Sequence, residues 1–129
     1  MIVDTSALIA CLRGESGHEP YLQALKDNPA PGIGAPTVVE AGVVLLHRLG
    51  QPANGALRGF LLQIGAVVIP FAEQHWQVAV DARERFGKGR HPANLNFGDC
   101  LTYAVAKLAG EPLLALGDDF RHTDLELAL

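Results

Sequence analysis

No run of apolar residues in this 129-residue chain approaches the roughly 18 needed to cross a membrane. The N-terminal stretch MIVDTSALIA also lacks the basic region that opens a signal peptide. A soluble, cytoplasmic protein is therefore expected. Cysteine is scarce: Cys11 and Cys100 are the two present, with no CxxC pair and no histidine at zinc-ligand spacing. That excludes a disulfide framework or a thiolate zinc site and points to reduced, buried thiols. Repeats, low-complexity tracts and linker-like stretches are absent as well, which leaves one domain spanning 1–129, long enough to bury a layered core at 49% hydrophobic content. Excess positive charge is also missing. With 14 acids against 10 lysines and arginines, the net charge of −4 weighs against a partner as anionic as nucleic acid. If four of the acids hold a cation, however, the remainder of the chain is balanced.

What is present is a regular alternation of short apolar runs and amphipathic ones, punctuated by Pro and Gly. Ile2 and Val3 form a very short strand, and TSALIACLRG reads as a helix closed by Gly14. HEPYLQALKDN is a second helix. GIGA is a strand leading into PTVVEAGVVLLHRLG, a helix with Pro36 near its start and Gly50 past its end. PANGALRGFLLQIG is a weaker helix, because Gly55 and Gly59 each cost roughly 1 kcal/mol relative to Ala. AVVIPF reads as a buried strand from its β-branched content. AEQHWQVAVDARERFG is amphipathic, with Trp76, Val80 and Ala79 assigned to its inner face. The loop KGRHPANLN precedes the helix GDCLTYAVAKLAG and the strand PLLAL. Strands alternating with helices predict an α/β fold with a mainly parallel sheet covered on both faces. Ligands bind such sheets beyond the carboxyl ends of the strands.

The acids gather where that rule points. Asp4 follows the first strand, Glu40 is placed in the first turn of the helix after the second, Asp99 opens a helix, and Asp118 and Asp119 follow the last strand. Converging carboxylates raise one another's pKa unless a cation neutralises them. A donor set of oxygens alone suits Mg²⁺ or Mn²⁺. Each acid also fits a helix cap: Asp4 before Thr5, the capping-box spacing in TVVE and between Asn96 and Asp99, and Asp118 or Asp119 before a terminal turn. Capping needs no acid at every strand exit, since Ser, Thr or Asn serve equally. The joint placement therefore favours a site, with which a cap hydrogen bond is compatible.

Taken in order, MIVDTSALIACL, APTVVEAGVVLLHRLG and HPANLNFGDCLTYAVAKLAGEPLLALGDDFRHTDL resemble the PIN-domain ribonucleases, specifically the VapC toxins of bacterial toxin–antitoxin pairs. The resemblance spans essentially the whole chain. It implies a three-layer α/β/α fold and a metal-dependent endoribonuclease leaving 5′-phosphate and 3′-hydroxyl ends. It also implies Asp4, Glu40 and Asp99 as core acids, with a fourth from GDDF. Of the two candidates there, Asp118 is preferred because it leaves the strand first, with Asp119 as the alternative. Thr5 and Ser6 match the family's hydroxyl position and would position water or metal. Asp4, Asp99 and Asp118 would hold Mg²⁺ or Mn²⁺, directly or through water, and Glu40 would orient or deprotonate the attacking water or help hold a second ion. An RNA substrate, a VapB-type antitoxin and a homodimer are the implied partners.

Contacts to RNA must come from local basicity. Arg83, Arg85, Lys88, Arg90 and His91 face one acid, Glu84, in ARERFGKGRH, although basic residues also close helix C-termini by complementing the dipole. His18, His47, His75 and His122 show no ligand spacing. Two further classes use a similar fold. A phosphoryl-transfer domain would carry a second acid in DxD or a Lys near the last strand, and neither is evident. A non-catalytic interaction module would need no acid cluster. VVEAGVVLLHRL is apolar nearly all round, so one of its faces is expected to meet a second copy.

Overall fold

Every strand is two or three residues long and reaches its helix within a few residues, so the helices do most of the covering. The computed structural model describes residues 1–50 and 53–129. The proposed start of the fourth helix at Pro52 lies outside them. In chain order the elements are β1 (Ile2–Val3), α1 (Thr5–Arg13), α2 (Glu19–Asp27), β2 (Gly32–Gly34), α3 (Ala35–Leu49), α4 (Ala53–Gln63), β3 (Val67–Ile69), α5 (Glu73–Phe86), α6 (Phe97–Ala109) and β4 (Leu113–Leu114), followed by a 3₁₀ turn at Asp119–His122. The strands pair in parallel in the order β3-β2-β1-β4. Gly14 and Gly110 close α1 and α6 in the left-handed conformation, the usual end of a helix whose last carbonyls need a donor.

Alternation along the strands builds the three layers. Ile2 and Leu113 point into a core with α5 and α6, where Ala82, Leu95, Tyr103 and Val105 are buried. Val3, Ile33 and Leu114 point the other way, into a core with α1, α3 and α4 that holds Leu8, Ala41, Leu45 and Leu57. Gly34 leaves no side chain on the α6 side of β2, where an added Cβ would stand 3.0 Å from Val105. That lets α6 lie close to the sheet and brings its N-terminal turn to the carboxyl ends of β1 and β2.

Two expectations are corrected. AVVIPF is a strand but not a buried one: β3 lies at the sheet edge, and Val67 and Val68 are 52% and 47% exposed. β-branched content reports strand propensity, and burial depends on position in the sheet. The inner face of α5 is His75, Ala79, Ala82 and Phe86. Of the three residues assigned to that face, only Ala79 belongs there, and Trp76 and Val80 are exposed. Small residues let α5 pack closely on α6, and Trp76 is too large for that seam.

Past β4 the chain returns to the sheet, where Leu113 N–H donates to the Glu126 carbonyl and Ala128 N–H to the Leu113 carbonyl. Asp124 pins this tail, accepting from the Tyr103 hydroxyl at 2.7 Å and Lys107 Nζ at 2.8 Å. Desolvation works to raise its pKa, but the bonds from Lys107 and Tyr103 and the charges of Lys107 and Arg85 prevail and hold it at about 2. A depressed carboxylate stabilises the fold above its unfolded pKa near 3.9 and loses that contribution as pH falls toward 2. Asp124→Asn is expected to cost about 0.5–1 kcal/mol at pH 7, the partly exposed setting limiting the effect. In urea denaturation the gap from wild type should narrow between about pH 4 and pH 2. A gap independent of pH would mean the charge contributes nothing.

Candidate active site

Asp4 is where β1 ends and α1 begins. Its N–H donates to the Leu114 carbonyl at 2.9 Å, and its carboxylate caps α1 by accepting from Ser6 N–H at 3.0 Å. Ser6 Oγ donates to the same oxygen at 2.6 Å, and Thr102 Oγ1 donates to the other at 2.9 Å. Thr102 in turn lies 3.2 Å from the Thr37 hydroxyl. A carboxylate only 6% exposed is thus satisfied by three donors, which offset the cost of burying it. Thr102 and Thr37 were not singled out in the sequence, although Thr102 stands three residues after Asp99, on the same face of α6.

Ser6 is committed to protein contacts, for its Oγ also accepts from Leu116 N–H at 3.0 Å and so ties the β4 exit to the start of α1. Thr5 is different. Its Oγ1 is buried with no partner at hydrogen-bonding geometry among the described residues, though it faces Glu40 closely enough to lower that residue's pKa.

Glu40 reaches the site from the second turn of α3. The TVVE capping box is not formed, because the helix starts earlier, at Ala35, with Gly34 as N-cap and no side-chain cap. That register leaves the Glu40 carboxylate free, and it lies directly against Gly98 in the first turn of α6. Burial of its carboxyl end raises the Glu40 pKa; the Thr5 hydroxyl works against this and the Asp4 charge adds to it. At the head of α6 the Asn96–Asp99 capping box does form, each side chain accepting from the other's N–H at 2.9 Å. Burial pushes Asp99 up to about 6; the bond from Asn96 opposes this, and the charges of Asp4, Asp119 and Glu40 reinforce it.

The two acids of GDDF stand differently in the structure. Gly117 turns the chain at a φ of +88°, open to glycine but strained for other residues, and the 3₁₀ turn follows, anchored by the buried Phe120. Asp118 then points outward, 84% exposed and 3.2 Å from Arg121 Nε. Asp119 is the residue whose charge reaches Asp99. The charges that act on Asp99 are those of Asp4, Glu40 and Asp119. Among the described residues no three His, Cys, Asp or Glu side chains are grouped tightly enough to chelate one ion. An oxygen donor set, the unpartnered Thr5 hydroxyl and mutually repelling carboxylates fit a hard cation that keeps several of its waters.

The basic segment separates into tied and free groups. Arg83 Nη1 donates to the Leu95 carbonyl at 2.7 Å. Arg85 lies over the Phe86 ring and pairs with Asp81 and Asp124. His91 Nδ1 accepts from Ala93 N–H at 3.1 Å, its ring edge-on to Phe86. Arg85 and His91 therefore hold the end of α5 and its loop in place, while Lys88 and Arg90 stand exposed beside them.

Comparison with known proteins identifies this architecture. The PIN domain family model matches residues 1–126. The chain belongs to the PIN-domain family. Ribonuclease VapC36 of Mycobacterium tuberculosis is 46% identical over 127 residues, covering 98% of this chain and 91% of the relative. Ribonuclease VapC of Mycolicibacterium smegmatis is 38% identical, with 97% of each chain covered. Among solved structures, Mycobacterium tuberculosis VapC20, described as a sarcin-ricin loop cleaving toxin, superposes with a TM-score of 0.78 at 20% identity, covering 96% of this chain and 95% of that one. Within the PIN family this is therefore a VapC-type toxin ribonuclease, and its three-layer fold is the family's.

Proposed function

We propose that this PIN domain hydrolyses RNA phosphodiesters at a divalent-cation site to which Asp4, Asp99 and Asp119 would contribute directly or through water, with Glu40 as the base. The observation that carries the reading is a half-buried carboxyl at the head of α6, Asp99, which burial pushes up to about 6 with the charges of Asp4, Asp119 and Glu40 adding to the effect, beside a buried hydroxyl with no partner among the described residues. A bound Mg²⁺ or Mn²⁺ supplies Lewis acidity to a phosphoryl oxygen and lowers the pKa of its water. Asp4 is held rigid by Ser6 and Thr102, so it needs no reorganisation on binding. Glu40, its proton affinity already raised, takes the proton of the attacking water at its carboxylate. The new P–O bond forms as the bond to the 3′ oxygen breaks, leaving 5′-phosphate and 3′-hydroxyl ends. Lys88 and Arg90 stand free for backbone phosphates.

A toxin of this kind works in the cytoplasm and requires a VapB-type antitoxin, which we place over the acids with an Arg or Lys side chain making charge-assisted bonds to them. No helix among the described residues is long and apolar enough to cross a membrane.

The test is cleavage of an unstructured RNA by antitoxin-free protein. EDTA should abolish it and Mg²⁺ restore it. Mg²⁺ should also raise the melting temperature by about 3–5 °C in wild type, and not in Asp99→Asn. Cleavage that survives EDTA in a preparation free of other nucleases would overturn the assignment.

A homodimer is part of the same proposal. Val39, Val43 and Leu46 are exposed in one stripe along α3, while Ala41 and Leu45 face the core. Such a stripe on a 15-residue helix is the kind of apolar patch that a second copy covers. Val43→Lys is expected to halve the mass seen by light scattering at micromolar concentration while keeping the circular dichroism of wild type. A variant that stays dimeric would place the interface elsewhere.

A further inference from the structure

Between α5 and the head of α6 lies an apolar groove of about 440 Å³, lined by the exposed Trp76, Val80, Arg83 and Phe97 and the buried Ala79 and Cys100. That volume lies in the range of small-molecule sites, roughly 300–1,000 Å³. The floor of the groove is continuous with the core through Ala79 and Cys100, but its aromatic rim is not taken up by the fold: Trp76 and Phe97 remain 52% and 78% exposed.

Position and chemistry both say what covers it. Phe97 opens the turn that carries Asp99, and Cys100 directly follows that acid. By helical spacing Phe97, Cys100 and Leu101 share one side of α6, and Asp99 and Thr102 share the opposite side. Groove and acids thus flank one helix end, about 10 Å apart, the width of a helix. A strand whose phosphate sits at the acids passes the groove at a neighbouring nucleotide. The lining joins aromatic faces to a single cation, Arg83, and contains no acid. Arg83 is held by its bond to the Leu95 carbonyl, which leaves further guanidinium donors for an anion. A flat π-system joined to a phosphate satisfies both features, whereas an aliphatic protein side chain would leave the guanidinium unanswered.

We propose that this groove receives an unpaired base of the RNA substrate, neighbouring the scissile phosphate, stacked on Trp76 and Phe97 with its phosphate on Arg83. The proposal rests on the ribonuclease reading and narrows it: the substrate is single-stranded or looped RNA, because a base stacked within a duplex cannot enter. Trp76 and Phe97 then set which nucleotide stands beside the cut.

Trp76 is the sole tryptophan, so its emission reports the groove directly. Inactive Asp99→Asn protein is titrated with a short unstructured RNA, with the same RNA carrying one abasic site at each position in turn, and with the duplex form. The intact single strand should change Trp76 emission, and the duplex should not. One abasic position should weaken binding about 5- to 100-fold. Phe97→Ala should cost the same, with no further loss on the abasic RNA. Phe97→Tyr should retain binding and Phe97→Leu should lose it, which separates stacking from simple apolar contact; the exposure of Phe97 makes these variants safe for folding. Emission unmoved by RNA, or a flat abasic scan, overturns the proposal, and continued cleavage of unstructured RNA by wild type then leaves the ribonuclease reading standing. An emission change that comes with the antitoxin or with protein concentration, and not with RNA, also overturns it.

Discussion

Asp99→Asn is expected to lower RNA cleavage by about 10²–10⁴-fold while making the metal-free protein more stable. The two effects share one cause. Asp99 titrates at about 6 in the folded protein because burial and the charges of Asp4, Asp119 and Glu40 oppose its ionisation, against an ordinary value of 3.8. A carboxyl with a raised folded pKa penalises folding as pH rises from the lower value to the higher, and the full penalty applies above about 6. At pH 7 Asn removes it, a gain of about 1 kcal/mol once solvent screening is allowed for. The cap survives, because the Asn oxygen still accepts from the Asn96 N–H. Asp4→Asn should be equally inactive but less stable, by about 1–3 kcal/mol, because one face of its amide would present a donor to Ser6 or Thr102, which are donors already. In cells, induced wild type should arrest growth and Asp99→Asn should not. Thermal melts with RNA cleavage assays check the pair, and undiminished cleavage by Asp99→Asn would remove that residue from the site.

Gly98→Ala should cost about 10–100-fold in cleavage without unfolding the protein. In the first turn of a helix Ala is favoured over Gly by up to about 1 kcal/mol, so propensity alone argues for a benign change. The added Cβ, however, would overlap Glu40 Oε2. Because the obstacle is the far end of a flexible side chain, the fold adapts by swinging the Glu40 carboxylate away, and a displacement of about 1 Å at a reacting group is enough for a loss of this size. Glu40→Gln should be impaired as well, and the double variant should be no worse than Glu40→Gln alone. A fully active Gly98→Ala enzyme would mean that Glu40 works from a different position.

The sequence by itself determined the elements and which acids stand near the strand exits. Period, caps and terminators are local properties, so the helix closed by Gly14, the Asn96–Asp99 box and the strand at Ile2–Val3 were legible from a few neighbouring residues, as was the gathering of acids at strand exits. Tertiary structure decided what depends on a third body. Val67 and Val68 looked buried until the strand order put β3 at the edge. Trp76 and Val80 looked like core until the close α5–α6 seam selected Ala79 and Ala82 instead. Asp118 precedes Asp119 in the chain, yet after the left-handed Gly117 it is the first acid that pairs with Arg121 and the second whose charge acts on Asp99. Thr102 became visible as a partner of Asp4 once residues 98 positions apart stood in contact. The physical reason is common to all four. Hydrophobic period and capping are short-range, whereas burial, direction and charge coupling depend on how the strands are ordered and how closely the helices pack.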